Sequence, residues 1–79
     1  MSWTIDWGPA VQRDLLTLRW SAAARACRAV MTFAETGRGS EQHQDNPLRR
    51  RLRMPGAVVY VLLDPVDRVV HVLRVFQRP

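Results

Sequence analysis

Lysine is absent from this 79-residue chain: all twelve residues counted as Lys+Arg are arginine. Cysteine is nearly absent as well. The single Cys27 excludes an internal disulfide, and one thiol with two scattered histidines, His43 and His71, does not build a zinc site. No metal and no cofactor are therefore expected, and a reducing, cytoplasmic setting fits best. Long apolar runs are missing too. The longest, Ala57 to Leu63, falls far short of the ~20 residues that a membrane-spanning helix needs, so no membrane partner is expected. No basic segment followed by an apolar stretch opens the chain as a leader would. Length is also in short supply. A single domain over residues 1–79 is predicted, burying only roughly 60% of the surface its unfolded chain exposes.

What the chain does have is apolar content and positive charge. Hydrophobic residues make up 47%, too many for a disordered chain, so it should fold. The formal net charge is +5, which points to nucleic acid or an acidic protein as partner. Arginine presents a planar fork of donors that fits phosphate or carboxylate bidentately. A GC-rich coding bias explains the missing lysine equally well, but the net charge survives either explanation.

Along the chain, "WTIDW" sets Trp3, Ile5 and Trp7 on one face of a short strand, with Thr4 and Asp6 on the other. Gly8-Pro9 ends it, and Val11, Leu15 and Leu18 predict a helix over about 9–18. Ser21 is a plausible N-cap for a second helix with the stripe Ala23, Ala24, Cys27, Val30, Met31 and Ala34, stopped by Gly37 and Gly39. The two helices are expected to pair as an antiparallel hairpin. "GRGSEQHQDN" reads as a polar loop. In the last third, Leu48, Leu52 and Met54 alternate with Arg49, Arg51 and Arg53, while Arg50 breaks the pattern. Pro55-Gly56 is a turn, and the β-branched run from Ala57 to Leu63 reads as a central strand. After the Asp64-Pro65-Val66-Asp67 turn comes a strand over Arg68 to Gln77. Strict alternation puts Val69, Leu73 and Val75 on one face and Val70, Val72 and Phe76 on the other. The class is α+β in the order β-α-α-β-β-β, a twisted, mainly antiparallel sheet with a helical hairpin on one face.

This order, with "IDWGPAVQRDLLTL", "RAVMTFAETGRG" and "RLRMPGAVVYVLLDPVDRVVHVLRVFQR", resembles the RelE/ParE superfamily of bacterial toxins from type II toxin–antitoxin modules. The phrases cover nearly the whole chain; their order and spacing carry the likeness, since none is diagnostic alone. The resemblance implies a cognate antitoxin as partner. It also implies a target in translation, through mRNA cleavage commonly on the ribosome, or alternatively in DNA gyrase. A non-catalytic nucleic-acid- or partner-binding protein on the same fold is the remaining alternative.

RelE-type cleavage needs no metal, because the ribose 2′-OH attacks the adjacent phosphate and cationic groups orient and stabilise the charge. The period-two spacing puts Arg49, Arg51 and Arg53 on one sheet face. The resemblance implies that Arg49 and Arg51 match the family's basic positions, and that Arg78 matches its C-terminal arginine. Arg51, Arg53 and Arg78 are thus the candidate catalytic residues, and Arg49, Arg51, Arg53 and Arg78 the candidate nucleic-acid or antitoxin contacts. Period-two arginines are equally the mark of a half-buried strand's solvated side. The family arginine that opens the strand before the tyrosine has no counterpart here: its place falls on Ala57 or Val58. Among the other candidates, His71 reads as a satisfied half-buried histidine, and His43 lies in the polar loop without a partner. Tyr60 is read as a core residue with its hydroxyl at an edge, Cys27 as a small buried thiol, and Trp3, Trp7 and Trp20 as core or hairpin residues.

Overall fold

In the computed structural model, which describes residues 2–42 and 45–78, seven elements follow one another. They are β1 (Thr4–Trp7), α1 (Val11–Leu16), α2 (Trp20–Thr36), β2 (Glu41–Gln42), β3 (Arg49–Met54), β4 (Ala57–Asp64) and β5 (Val69–Gln77). His43 lies outside the described residues. The strands form one sheet in the order β1-β5-β4-β3-β2, with β4 in the centre as its apolar run predicts. All pairings are antiparallel except β1 with β5, which is parallel. Short turns can only reverse the chain, whereas β1 is free to join the far edge in parallel because two helices and three strands separate it from β5. The two helices cover one face, so the α+β architecture is as the periodicities predict.

The segment read as a polar loop contains an additional short strand. Glu41 and Gln42 of β2 pair with Arg51 and Arg50 on the outer edge of β3. Two residues carry no periodicity to read; the exposed ladder of β3 recruits them.

The covered face of α2 differs from the predicted stripe. Ala22, Ala26, Val30, Phe33 and Ala34 are buried, whereas Ala24 and Met31 are exposed and Cys27 is half-buried. An alanine-rich helix offers two overlapping apolar stripes about one residue (~100°) apart, and Phe33 supplies the larger area to bury. Ser21 is not the cap: the helix begins at Trp20, and the capping residue Arg19 makes no side-chain cap bond. Trp3 and Ile5 pack against the core as expected, while Trp7 is partly exposed. Trp20 is 84% exposed, and Leu16 is 82% exposed. The six-residue α1 leans on β5 rather than along α2.

Strict alternation fails in β5. Tyr60 pairs with Arg74 but Val61 pairs with Val72, so Leu73 is an extra residue in a bulge. Val70, Val72 and Val75 therefore share the covered face, at 0–2% exposure, and Phe76 moves to the open one. One inserted residue reverses the facing of everything beyond it.

Two glycines are required by their surroundings. A Cβ on Gly8 would sit 2.5 Å from the carbonyl oxygen of Val72, to which the Gly8 N–H donates at 3.0 Å. Gly56 closes the β3–β4 turn at φ +87°, following Pro55 as in a type II turn, and a Cβ there would press on Ala22 of α2 at 3.1 Å. These contacts set β1 and the β3–β4 hairpin against the rest of the fold.

Candidate functional site

Pairing register places the arginines. Arg49, Arg51 and Arg53 of β3 stand opposite Leu62, Tyr60 and Val58 of β4, which in turn stand beside His71, Arg74 and Phe76 of β5. Their β3 neighbours Leu52 and Met54 face the helices with Val59 and Ala57. The three predicted arginines thus share the face that no helix covers. Next to them, Tyr60 and Phe76 are 37% and 42% exposed and meet edge to face, with ring centroids 5.7 Å apart. The guanidinium of Arg74 lies over the Phe76 ring at 4.8 Å.

Two of the arginines are already paired. Arg51 Nη2 donates to Glu41 Oε2 at 2.8 Å, and Arg53 Nε donates to Glu41 Oε1 at 2.7 Å. The Arg51 hydrogen bond, with a second from Arg53, holds the Glu41 carboxyl below the usual carboxylate range despite some desolvation. Glu41 in turn raises Arg51 above the ordinary guanidinium value, with a smaller contribution from Tyr60. Arg51 Nε is buried and has no hydrogen-bond partner. Among the described residues Arg49 makes no ion pair. Glu41, Arg49, Arg50, Arg51, Tyr60 and the bulged Leu73 are among the residues lining a cleft of about 460 Å³.

Arg74 is held from the other side. Its Nε and Nη2 donate to Asp14 Oδ2 and Oδ1 at 2.8 and 3.1 Å, and the Val75 N–H also donates to Oδ2 at 2.9 Å. Asp14 is 8% exposed, and the Arg74 hydrogen bonds hold its carboxyl below the ordinary value against the opposing effect of burial. Strand β1 pairs only with Val69 to Val72, so the Val75 N–H lies beyond its end; Asp14 of α1 caps that donor instead. His71 faces its β1 partner Asp6, with Nδ1 2.8 Å from Asp6 Oδ2, a satisfied half-buried histidine as expected. Arg78 stands apart from the row: its N–H donates to the Gly56 carbonyl at 3.1 Å and its Nη1 reaches the Met54 carbonyl at 3.5 Å.

Three participants escaped the sequence reading. Glu41 sits in a stretch without periodicity, and Arg74 and Phe76 were hidden by the bulge. Tyr60 was placed in the core but stands on the open face. Of Ala57 and Val58 at the start of β4, Ala57 is fully buried under the helices. Val58 is the one on the arginine face, between Arg53 and Phe76 in register. The cations available to that face therefore come from β3 and β5, with none from β4. Chemically the surface can bind an anion and stack a planar group. Among the described residues no cluster of side chains suited to a metal ion forms, and no helix is long and apolar enough to cross a membrane.

This chain has the RelE fold, a mixed five-stranded sheet with two helices on one face, and solved RelE toxins superimpose on it. The isolated RelE toxin of E. coli matches with a TM-score of 0.83 at 12% identity, covering 98% of this chain and 85% of that one. The RelBE2 toxin–antitoxin complex of Mycobacterium tuberculosis matches with a TM-score of 0.73 at 21% identity, covering 99% and 100%. The intact E. coli RelBE toxin–antitoxin complex gives 0.77 at 15% identity, covering 98% of each chain. At such identities the likeness is one of fold. No family model and no curated protein matches the sequence.

Proposed function

We propose that this chain is the toxin of a type II toxin–antitoxin module, acting in the cytoplasm on translation in the RelE manner and held in check by a cognate antitoxin. The observation that carries the reading is the uncovered sheet face, with Arg49, Arg51 and Arg53 in a row beside the exposed Tyr60–Phe76 pair. Arginine forks suit phosphodiesters, and exposed aromatics next to them suit unstacked bases. The RelE toxin and the RelBE complexes that share the fold support the module assignment. On this reading Arg51, Arg53 and Arg78 orient the RNA backbone and stabilise charge as the 2′-OH attacks the adjacent phosphate.

The start of β4 favours a second reading. The resemblance puts the family's arginine at Ala57 or Val58, neither of which is a cation, and without it the same surface serves binding without cleavage, or a ParE-like action on gyrase. Induced expression in a bacterial host separates these. Growth arrest with new mRNA 5′ ends supports RelE-like cleavage, arrest with DNA damage supports gyrase as target, and normal growth at confirmed protein levels overturns the toxin assignment. Arg51→Ala and Arg78→Ala are each expected to relieve the arrest while the protein stays folded.

A further inference from the structure

Arg51 and Arg53 point their donors at one spot, and a carboxylate already fills it. Glu41 accepts from Arg51 Nη2 with one oxygen and from Arg53 Nε with the other, a spacing of donors that serves two oxygens of a phosphodiester equally well. The strand that delivers Glu41 is two residues long and lies at the sheet edge, where it pairs with β3. We propose that Glu41 is an internal occupant of a phosphodiester seat: a single-stranded RNA backbone displaces its carboxylate from Arg51 and Arg53, and this competition weakens RNA binding in the resting protein.

The inference rests on the RNA reading above and adds to it the residue that opposes binding. One feature favours RNA over an acidic peptide as the displacing ligand. Tyr60 is the direct cross-strand neighbour of Arg51, one strand spacing (about 4.8 Å) away, and with Phe76 it offers aromatic surface where the base next to the seated phosphate would lie.

The test is fluorescence anisotropy of a short labelled oligouridylate against the full chain and its variants, with melting curves to confirm folding. Glu41→Gln is expected to bind about fivefold more tightly than the parent, since it frees an exposed, double-bonded ion pair. Adding Arg51→Ala to that variant should return binding to the parent level or below. Asp67→Asn removes one negative charge from the β4–β5 turn and is expected to leave affinity nearly unchanged. Equal tightening by Asp67→Asn would reduce the effect to net charge and overturn the proposal. If the parent binds the oligonucleotide and Glu41→Gln binds no better, the competing role of Glu41 is refuted while the RNA reading stands. Absence of RNA binding by both proteins refutes the two together. If a glutamate-rich peptide gains affinity in Glu41→Gln and the oligonucleotide does not, the seat is for carboxylates and the proposal falls.

Discussion

The two faces of the sheet are made from the same strands yet are chemically opposite. Toward the helices, Leu52, Ala57, Val59, Val61, Val70, Val72 and Val75 are packed almost without exposure around Phe33 and Val30. Toward solvent, the residues between them include Arg49, Arg51, Arg53, Tyr60, Arg74 and Phe76, with Val58, Leu62 and His71 in the same rows. The covered face answers to volume, because close-packed β-branched side chains lose transfer energy and contacts when trimmed. The open face answers to charge balance: Glu41 meets Arg51 and Arg53, and Asp14 meets Arg74, while Arg49 makes no ion pair among the described residues. On the proposed function, stability and function are thereby separated across a single layer of backbone, and a working surface is carried without hollowing out the core.

That separation is open to attack, most severely from the covered side. Phe33→Ala is expected to remove about 3–5 kcal/mol of folding stability, a large part of what a domain of this size possesses. Urea denaturation measures the loss, and a decrease of less than about 1 kcal/mol would mean that the helix side is not where the stability lies.

The next largest effect is expected at Asp14, which joins the two sides of the sheet. Asp14→Ala leaves the Val75 N–H without its acceptor and Arg74 without its partner, and should cost about 1–3 kcal/mol. Arg74 is half in water, so the backbone donor accounts for most of this. The pH dependence follows from the lowered carboxyl. Its stabilisation is complete above the unfolded-chain value of about 3.9 and is lost as pH falls toward the lower folded value. Asp14→Asn should therefore show a shallower loss of stability below about pH 4 than the parent. Parallel acid limbs for the two proteins would remove Asp14 from this account.

The smallest change in stability, with the largest change in function, is expected on the open face itself. Arg51→Ala should shift the melting temperature by no more than about 3 °C, since its ion pair is solvent-exposed. The same variant should lose most of its oligonucleotide affinity. Loss of folding in step with binding would show that the arginine row is part of the scaffold, and the contrast between the faces would collapse.

Much of this arrangement was legible in the residue order. The β3 arginines Arg51 and Arg53 alternate with Leu52 and Met54 as read, so their common face follows from the two-residue period, whereas Leu48 lies before the strand and is exposed. The Pro55-Gly56 turn, the Asp64 turn and the central place of β4 were equally readable. At Asp64 the side chain accepts from the Val66 and Asp67 N–H groups, as an acidic turn residue does. The α2 face was misread by one position because small residues on neighbouring stripes give periodicity without preference. Glu41 and Asp14 were not legible at all as partners, since their contacts reach across 10 to 61 residues of chain.

By itself the sequence determined the α+β class, the antiparallel hairpins and the arginine row, because each depends on local spacing or on turn chemistry that neighbouring residues supply. Only the tertiary structure decided who stands beside that row. The bulge at Leu73 turned Phe76 and Arg74 outward and Val75 inward, and the edge pairing of β2 carried Glu41 onto Arg51 and Arg53. Both outcomes arise between strands, where hydrogen-bond register sets which side chain faces which way, and register is a property of the pair that neither strand encodes alone.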